Sequence, residues 1–183
     1  TSPYAAFQQE HRSGGSMPVT MLRAEQDAHS IAEPGSPEIM LTLALRAGIT
    51  YRWDVGEGWT QERHVRAGSI SVTPPKTAIQ YDCRGPHEVL NLIFPEKPLL
   101  HLLEEHRVDR LGSFAPLTDA VFFPDDTVRR TMMQMWVESA KTGGTSDLLM
   151  DGLTQVLLAR LLDKAGALRR PQPVPLLGQA DLS

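Results

Sequence analysis

At 183 residues the chain has room for one domain with a sizeable core, and its 41% hydrophobic and 22% charged content is that of an ordinary folded protein. A formal net charge of −4 argues against an intrinsic nucleic-acid-binding face, which would need a basic footprint. There is no apolar run of bilayer-crossing length and no leader pattern, and the single cysteine, Cys83, excludes an internal disulfide, so a reducing, cytoplasmic setting with no membrane partner is expected.

Residues 1–16 are polar and contain Ser13-Gly14-Gly15-Ser16, which predicts a loose N-terminal arm. Met17–Leu22 reads as an edge strand, because Pro18 is tolerated only there. Charge and the breakers Pro34, Gly35 and Pro37 make 23–37 a loop. Glu38–Ala47 is a stronger strand, in which Leu41, Leu43 and Leu45 alternate with Met40, Thr42 and Ala44. With both faces rather apolar, it suits a central position. Tyr51–Val55 follows, placing Tyr51, Trp53 and Val55 on one face and Arg52 and Asp54 on the other. Gly56-Glu57-Gly58 is the expected hairpin turn, and Trp59–Val65 the return strand.

Gly68 to Phe94 then reads as three short strands separated by Pro74-Pro75 and by Arg84-Gly85-Pro86. Thr77, Ile79, Tyr81 and Cys83 share one face of the second of these, and Leu90, Leu92 and Phe94 share an apolar face of the third. Closely spaced strands with Gly and Pro punctuation predict an antiparallel sandwich or small barrel over residues 17–95.

Past Phe94 the composition changes to helix. Pro95 and Pro98 flank the start of a short one carrying Leu99 and Leu103, and 108–124 reads as irregular. Asp125 or Asp126 caps the next helix, whose stripe is Val128, Met132, Met135 and Trp136. Gly143-Gly144 ends it, and a last helix runs from Ser146 or Asp147 to Gly166. Its leucines are wider than one stripe. They either pack on two sides within one domain or form a homodimer seam, expected over Leu153, Val156, Leu157 and Leu161. Residues 96–166 are expected to form a helical dimerisation segment, and 167–183, with Pro171, Pro173 and Pro175, a linker.

The six histidines form no HxH or HExxH arrangement. Glu62 and His64 share a strand face that His87 could join as a ligand set in a metal-dependent enzyme, but no metal or other cofactor is expected. Ser69, Ser71 and Cys83 lack the surroundings of a nucleophile, so no catalytic residue is assigned and the chain is not read as an enzyme. Tyr51, Trp53, Glu62, His64 and Tyr81 make a better case as a ligand-binding set, aromatic walls with a few directed polar groups. Trp53 and Tyr81 can equally be plain core, and a regular strand cannot point both Arg52 and Trp53 inward.

This order of parts, with GSISVTPP at 68–75, HEVLNLIF at 87–94 and the Leu157–Leu162 helix end, resembles the N-terminal, cupin-like regulatory domain of AraC-family transcription regulators over roughly residues 17–165. The resemblance implies a double-stranded β-barrel of jelly-roll type followed by an antiparallel helical pair. It implies a bacterial sensor that binds a small-molecule effector in the barrel and dimerises through the helices. DNA would be bound only through a C-terminal domain that follows the linker and is absent from this chain. The alternatives are a metal-dependent cupin enzyme, an isomerase or dioxygenase, and a dimerisation-only module with a filled barrel.

Overall fold

Alternation along the strands, apolar against small or polar, sets the layers of this protein. The computed structural model describes residues 7–108 and 114–169. Nine strands precede the first helix: β1 (Gln8–Gly14), β2 (Val19–Gln26), β3 (His29–Glu33), β4 (Glu38–Arg46), β5 (Ile49–Asp54), β6 (Arg63–Val65), β7 (Ser69–Thr73), β8 (Ile79–Arg84) and β9 (His87–Pro95). Then come α1 (Glu96–Glu105), α2 (Ala115–Ala120), the short β10 (Phe123–Pro124), α3 (Asp126–Glu138) and α4 (Gly144–Arg169). One sheet has the order β1-β2-β9-β4-β7-β10 and the other β3-β8-β5-β6. All the pairings are antiparallel. The result is an antiparallel β architecture with the helices gathered at the C-terminal end.

The six-stranded sheet turns Met21, Leu41, Leu43, Ile70, Leu90 and Leu92 toward the helices. They form one core with Leu99, Leu117, Met132, Met135, Met150 and Leu157. At about 25 cal/mol per Å² of apolar surface buried, this contact is the main stabilising layer. Asp125 caps α3 by accepting from the amides of Thr127 and Val128, both at 3.0 Å, and also holds Arg160 of α4 at 3.0 Å. The predicted stripe of α3, Val128, Met132, Met135 and Trp136, is buried throughout.

The structure departs from the sequence reading in several places. Residues 8–14 are no loose arm: they pair over the whole length of β1 with β2, which removes the latter from the sheet edge. Arg12 ties β1 to α3, its guanidinium 3.9 Å from the Trp136 ring centroid and donating to the Trp136 carbonyl at 2.7 Å. Within the predicted loop 23–37, β2 continues to Gln26 and β3 occupies 29–33. The return strand shrinks to Arg63–Val65, because Asp54 accepts from the amides of Gly56 and Gly58 and pulls 55–62 into a longer loop. The stretch 108–124 holds α2 and β10, so the described residues form four helices rather than a pair. The last helix begins at Gly144 and passes Gly166 to reach Arg169. Predicted linker residues 170–183 lie outside the described ones.

The predicted dimer seam is also corrected. Leu153, Leu157 and Leu161 are 9%, 0% and 3% exposed, inside the core of their own chain. With Met150, Leu158 and Ala165 they form one 3.6-residue stripe, the face that α4 lays on its neighbours. Of the four seam residues only Val156 is on the surface, together with Leu148 and Leu149.

Candidate functional site: a cavity between the sheets

The face of the six-stranded sheet that turns away from the helices looks toward the four-stranded sheet across a cavity of about 240 Å³. Its lining follows from alternation. Thr42 sits between Leu41 and Leu43, Ser71 between Ile70 and Val72, and Asn91 between Leu90 and Leu92, so each points opposite to its buried neighbours. The facing wall is Tyr51 from β5 with Tyr81 and Cys83 from β8, and Phe122 closes one side. The side-chain oxygen of Asn91, which lines the cavity, is buried without a hydrogen-bond partner, and so is Nε2 of His29, beside Cys83 and His87. Buried acceptors are nearly always satisfied, so each marks a place where a ligand donor or an ion is welcome.

Of the five residues expected to bind a ligand, the structure brings together three. Tyr51 and Tyr81 line the cavity with rings stacked at 5.9 Å. Trp53, on the same face of β5 and 5.6 Å from Tyr51, is buried and walls a smaller hollow beside Phe122. His64 and Glu62 do not join them. His64 is in register with Thr50, on the opposite face from Tyr51, and is exposed. Glu62 sits in the surface loop and pairs with Arg84 at 2.9 Å. That separation also dissolves the Glu62–His64–His87 ligand set, because His87 lines the cavity and the other two lie outside it. The Arg52 conflict disappears as well, since β5 is regular. Arg52 faces outward, pairs with Asp82 at 3.1 Å, and lies over the exposed ring of Trp59 at 4.6 Å.

Sequence reasoning missed Asn91 and His29, and weighed His87 only in company with Glu62 and His64. His87 and Asn91 lie on the face of β9 opposite Leu90 and Leu92, so alternation placed them correctly. Which face of β9 looks into the barrel was left open by the sequence. His29 falls in the segment read as loop.

Chemistry concentrates at one end of the cavity. There the chain passes from β8 in one sheet to β9 in the other through Gly85-Pro86, Gly85 having the positive φ of 114° that a side chain would resist. This turn sets Cys83 opposite His87, and β3 supplies His29, in register with Cys83. The donor atoms of the three residues all lie within 4.8 Å of one another, the one such group of His, Cys, Asp or Glu among the described residues. Burial pushes the Cys83 thiol up to about 12, with the neighbouring Asp82 charge adding to the effect, so on its own it is no nucleophile. Burial lowers the pKa of His87, against the opposing pull of the Gly85 carbonyl, and so favours the neutral ring. Burial also raises the Tyr51 hydroxyl well above its ordinary value.

No protein family profile matches the chain, and no curated protein sequence does either. Solved structures of similar shape include a cupin superfamily protein from Desulfitobacterium hafniense, 12% identical at a TM-score of 0.38, covering 51% of this chain and 82% of that one. Hydroxypropylphosphonic acid epoxidase from S. wedmorenis is 12% identical at a TM-score of 0.36, covering 42% of this chain and 43% of its own. A protein described as ethanolamine utilization protein Q from Salmonella typhimurium is 14% identical at 0.35, covering 42% of this chain and 58% of its own. The chain thus spans less than two thirds of the length of the last two. Likenesses this low leave function to the chain's own residues.

Proposed function

We propose that the chain is the effector-sensing domain of a bacterial AraC-type transcription regulator, taking a small molecule between the two sheets. The observation that carries the reading is the unpaired side-chain oxygen of Asn91, buried and facing a cavity walled by tyrosines. At about 240 Å³ the space lies below the roughly 300–1,000 Å³ of common ligand pockets, which suits a compact metabolite. Such a ligand would present a donor to Asn91 and an apolar face to Tyr51 and Tyr81.

Strands β4 and β9 link that cavity to the helices, since alternate residues on each touch one or the other. An effector that fits one spacing of the sheets better than another would bias the packing of Leu43, Leu90 and Leu92 beneath the helices. Only differential affinity for two states transmits such a signal. Self-association through the exposed apolar side of α4, at Leu148, Leu149 and Val156, completes the proposal, with DNA contacted through a separate domain.

Thermal melting against a metabolite library tests it, because a ligand that binds only the folded state raises the apparent melting temperature. A compound that stabilises the native chain but not Asn91→Leu supports the reading. If Asn91→Leu responds as the native chain does, binding lies elsewhere and the cavity reading fails.

A further inference from the structure

We propose that His29, Cys83 and His87 form a zinc-class transition-metal site at the end of the cavity. The proposal rests on their own geometry and holds whether or not an organic effector binds beside them.

The hydrogen bonds fix which atoms are available. Nδ1 of His29 is 2.7 Å from the Asp27 carbonyl, and Nδ1 of His87 is 3.0 Å from the Gly85 carbonyl. A carbonyl only accepts, so each Nδ1 carries the proton. In the neutral rings each Nε2 is then left with a bare lone pair. Backbone carbonyls that hold the far nitrogen in this way orient and polarise histidine ligands around a metal. Nε2 of His29 has no hydrogen-bond partner despite its burial, and an ion is the partner this arrangement lacks.

The distances are within reach of coordination. Tetrahedral zinc bonds of about 2.0–2.1 Å to nitrogen and 2.3 Å to sulfur put ligand atoms ~3.3–3.6 Å apart. The present donors lie within 4.8 Å of one another, so side-chain rotations of about an ångström close the site without moving the strands. His29 and His87 are stacked with ring centroids 5.4 Å apart. Two imidazoles and a thiol suit zinc or cobalt, whereas calcium and magnesium demand oxygen donors. On binding, a metal–sulfur bond replaces the S–H bond of Cys83 and the proton leaves to solvent. Because Cys83 and His87 line the cavity, a fourth ligand reaches the metal from that side, as water or as a donor atom of whatever the cavity holds.

Titrating the metal-free, untagged chain with Co²⁺ under reducing conditions reads the site directly. The expected result is one Co²⁺ per chain, a thiolate-to-cobalt charge-transfer band in the near ultraviolet, and displacement of both by Zn²⁺. Cys83→Ser should abolish the band. Cys83→Ser and His29→Ala should each weaken Zn²⁺ by more than the roughly 10–100-fold that loss of an outer partner costs. His29 is the less buried of the pair, so its variant keeps the test open if Cys83→Ser does not fold; His64→Ala, on the outer face, should change nothing. Absence of the band, or an affinity unchanged in His29→Ala, would overturn the site. So would an equal loss in His64→Ala.

Discussion

The two faces of the six-stranded sheet are built from neighbouring residues and do opposite things. Toward the helices β4 turns Leu41 and Leu43, both 1% exposed, and β9 turns Leu90, Leu92 and Phe94, none above 1%. Toward the cavity the same strands turn Thr42 and Asn91, and β7 adds Ser69, Ser71 and Thr73. One face is saturated with aliphatic contact. The other gives up burial and leaves an acceptor unpaired, which stability alone does not favour. The contrast locates the stable layer and the binding layer on two sides of a single sheet.

Leu92→Ala should be the most damaging change in this comparison. A fully buried leucine truncated in a packed core costs about 2–5 kcal/mol, whereas Ser71→Ala on the cavity face should cost less than about 1 kcal/mol. Urea unfolding midpoints measure both, and equal losses would erase the distinction between the faces.

Next in size is the cap within the helical layer. Asp125→Ala removes the acceptor for the first amides of α3 and should cost about 0.5–2 kcal/mol. Burial pushes the Asp125 carboxyl up, but the Val128 amide, Arg160 and the Thr127 amide together outweigh it, so its pKa is net lowered. A lowered folded-state pKa stabilises above the ordinary value of 3.8 and loses that contribution as pH falls through the folded pKa. The stability gap between the native chain and Asp125→Asn should therefore be full at neutral pH and close only below 3.8. A gap that persists at the acid end would show that the charge is not what matters.

The periodicities were readable in the sequence, but not what each face meets. Strand alternation in β4, β5, β7, β8 and β9 was legible because apolar or aromatic side chains recur there at every second position. The stripe of α3 and its cap at Asp125 were equally plain. What alternation cannot say is which face looks at which layer, so neither face of β9 was assigned to the interior. Residues 8–14 were hidden for another reason: a polar segment such as Gln9, Glu10 and Arg12 forms a strand only because β2 offers it an edge and Trp136 a surface. The His29–Cys83–His87 cluster draws on three strands and two sheets, and no spacing in one dimension encodes that meeting.

On the cavity face the sign should reverse. Asn91→Leu replaces an unpaired buried acceptor by an aliphatic group of similar size, and should raise stability by about 1 kcal/mol. Urea unfolding without ligand reads this gain. A clear loss instead would mean that Asn91 is already satisfied in solution, and the contrast between the faces would weaken.

The smallest effect on folding, and the sharpest on assembly, is expected outside both layers. Leu157 is 0% exposed and Val156 52%, one position apart on α4. Leu157→Glu puts a carboxylate into the core and should unfold the helix from the sheet. Val156→Glu should stay within about 0.5 kcal/mol of the native chain, as surface changes usually do. If two copies meet along α4, sedimentation should show Val156→Glu shifted toward monomer with its melting curve unmoved. A native chain that is monomeric at high concentration would leave Leu148, Leu149 and Val156 as exposed apolar residues with no role in pairing, and the cavity would then have to signal within a single copy.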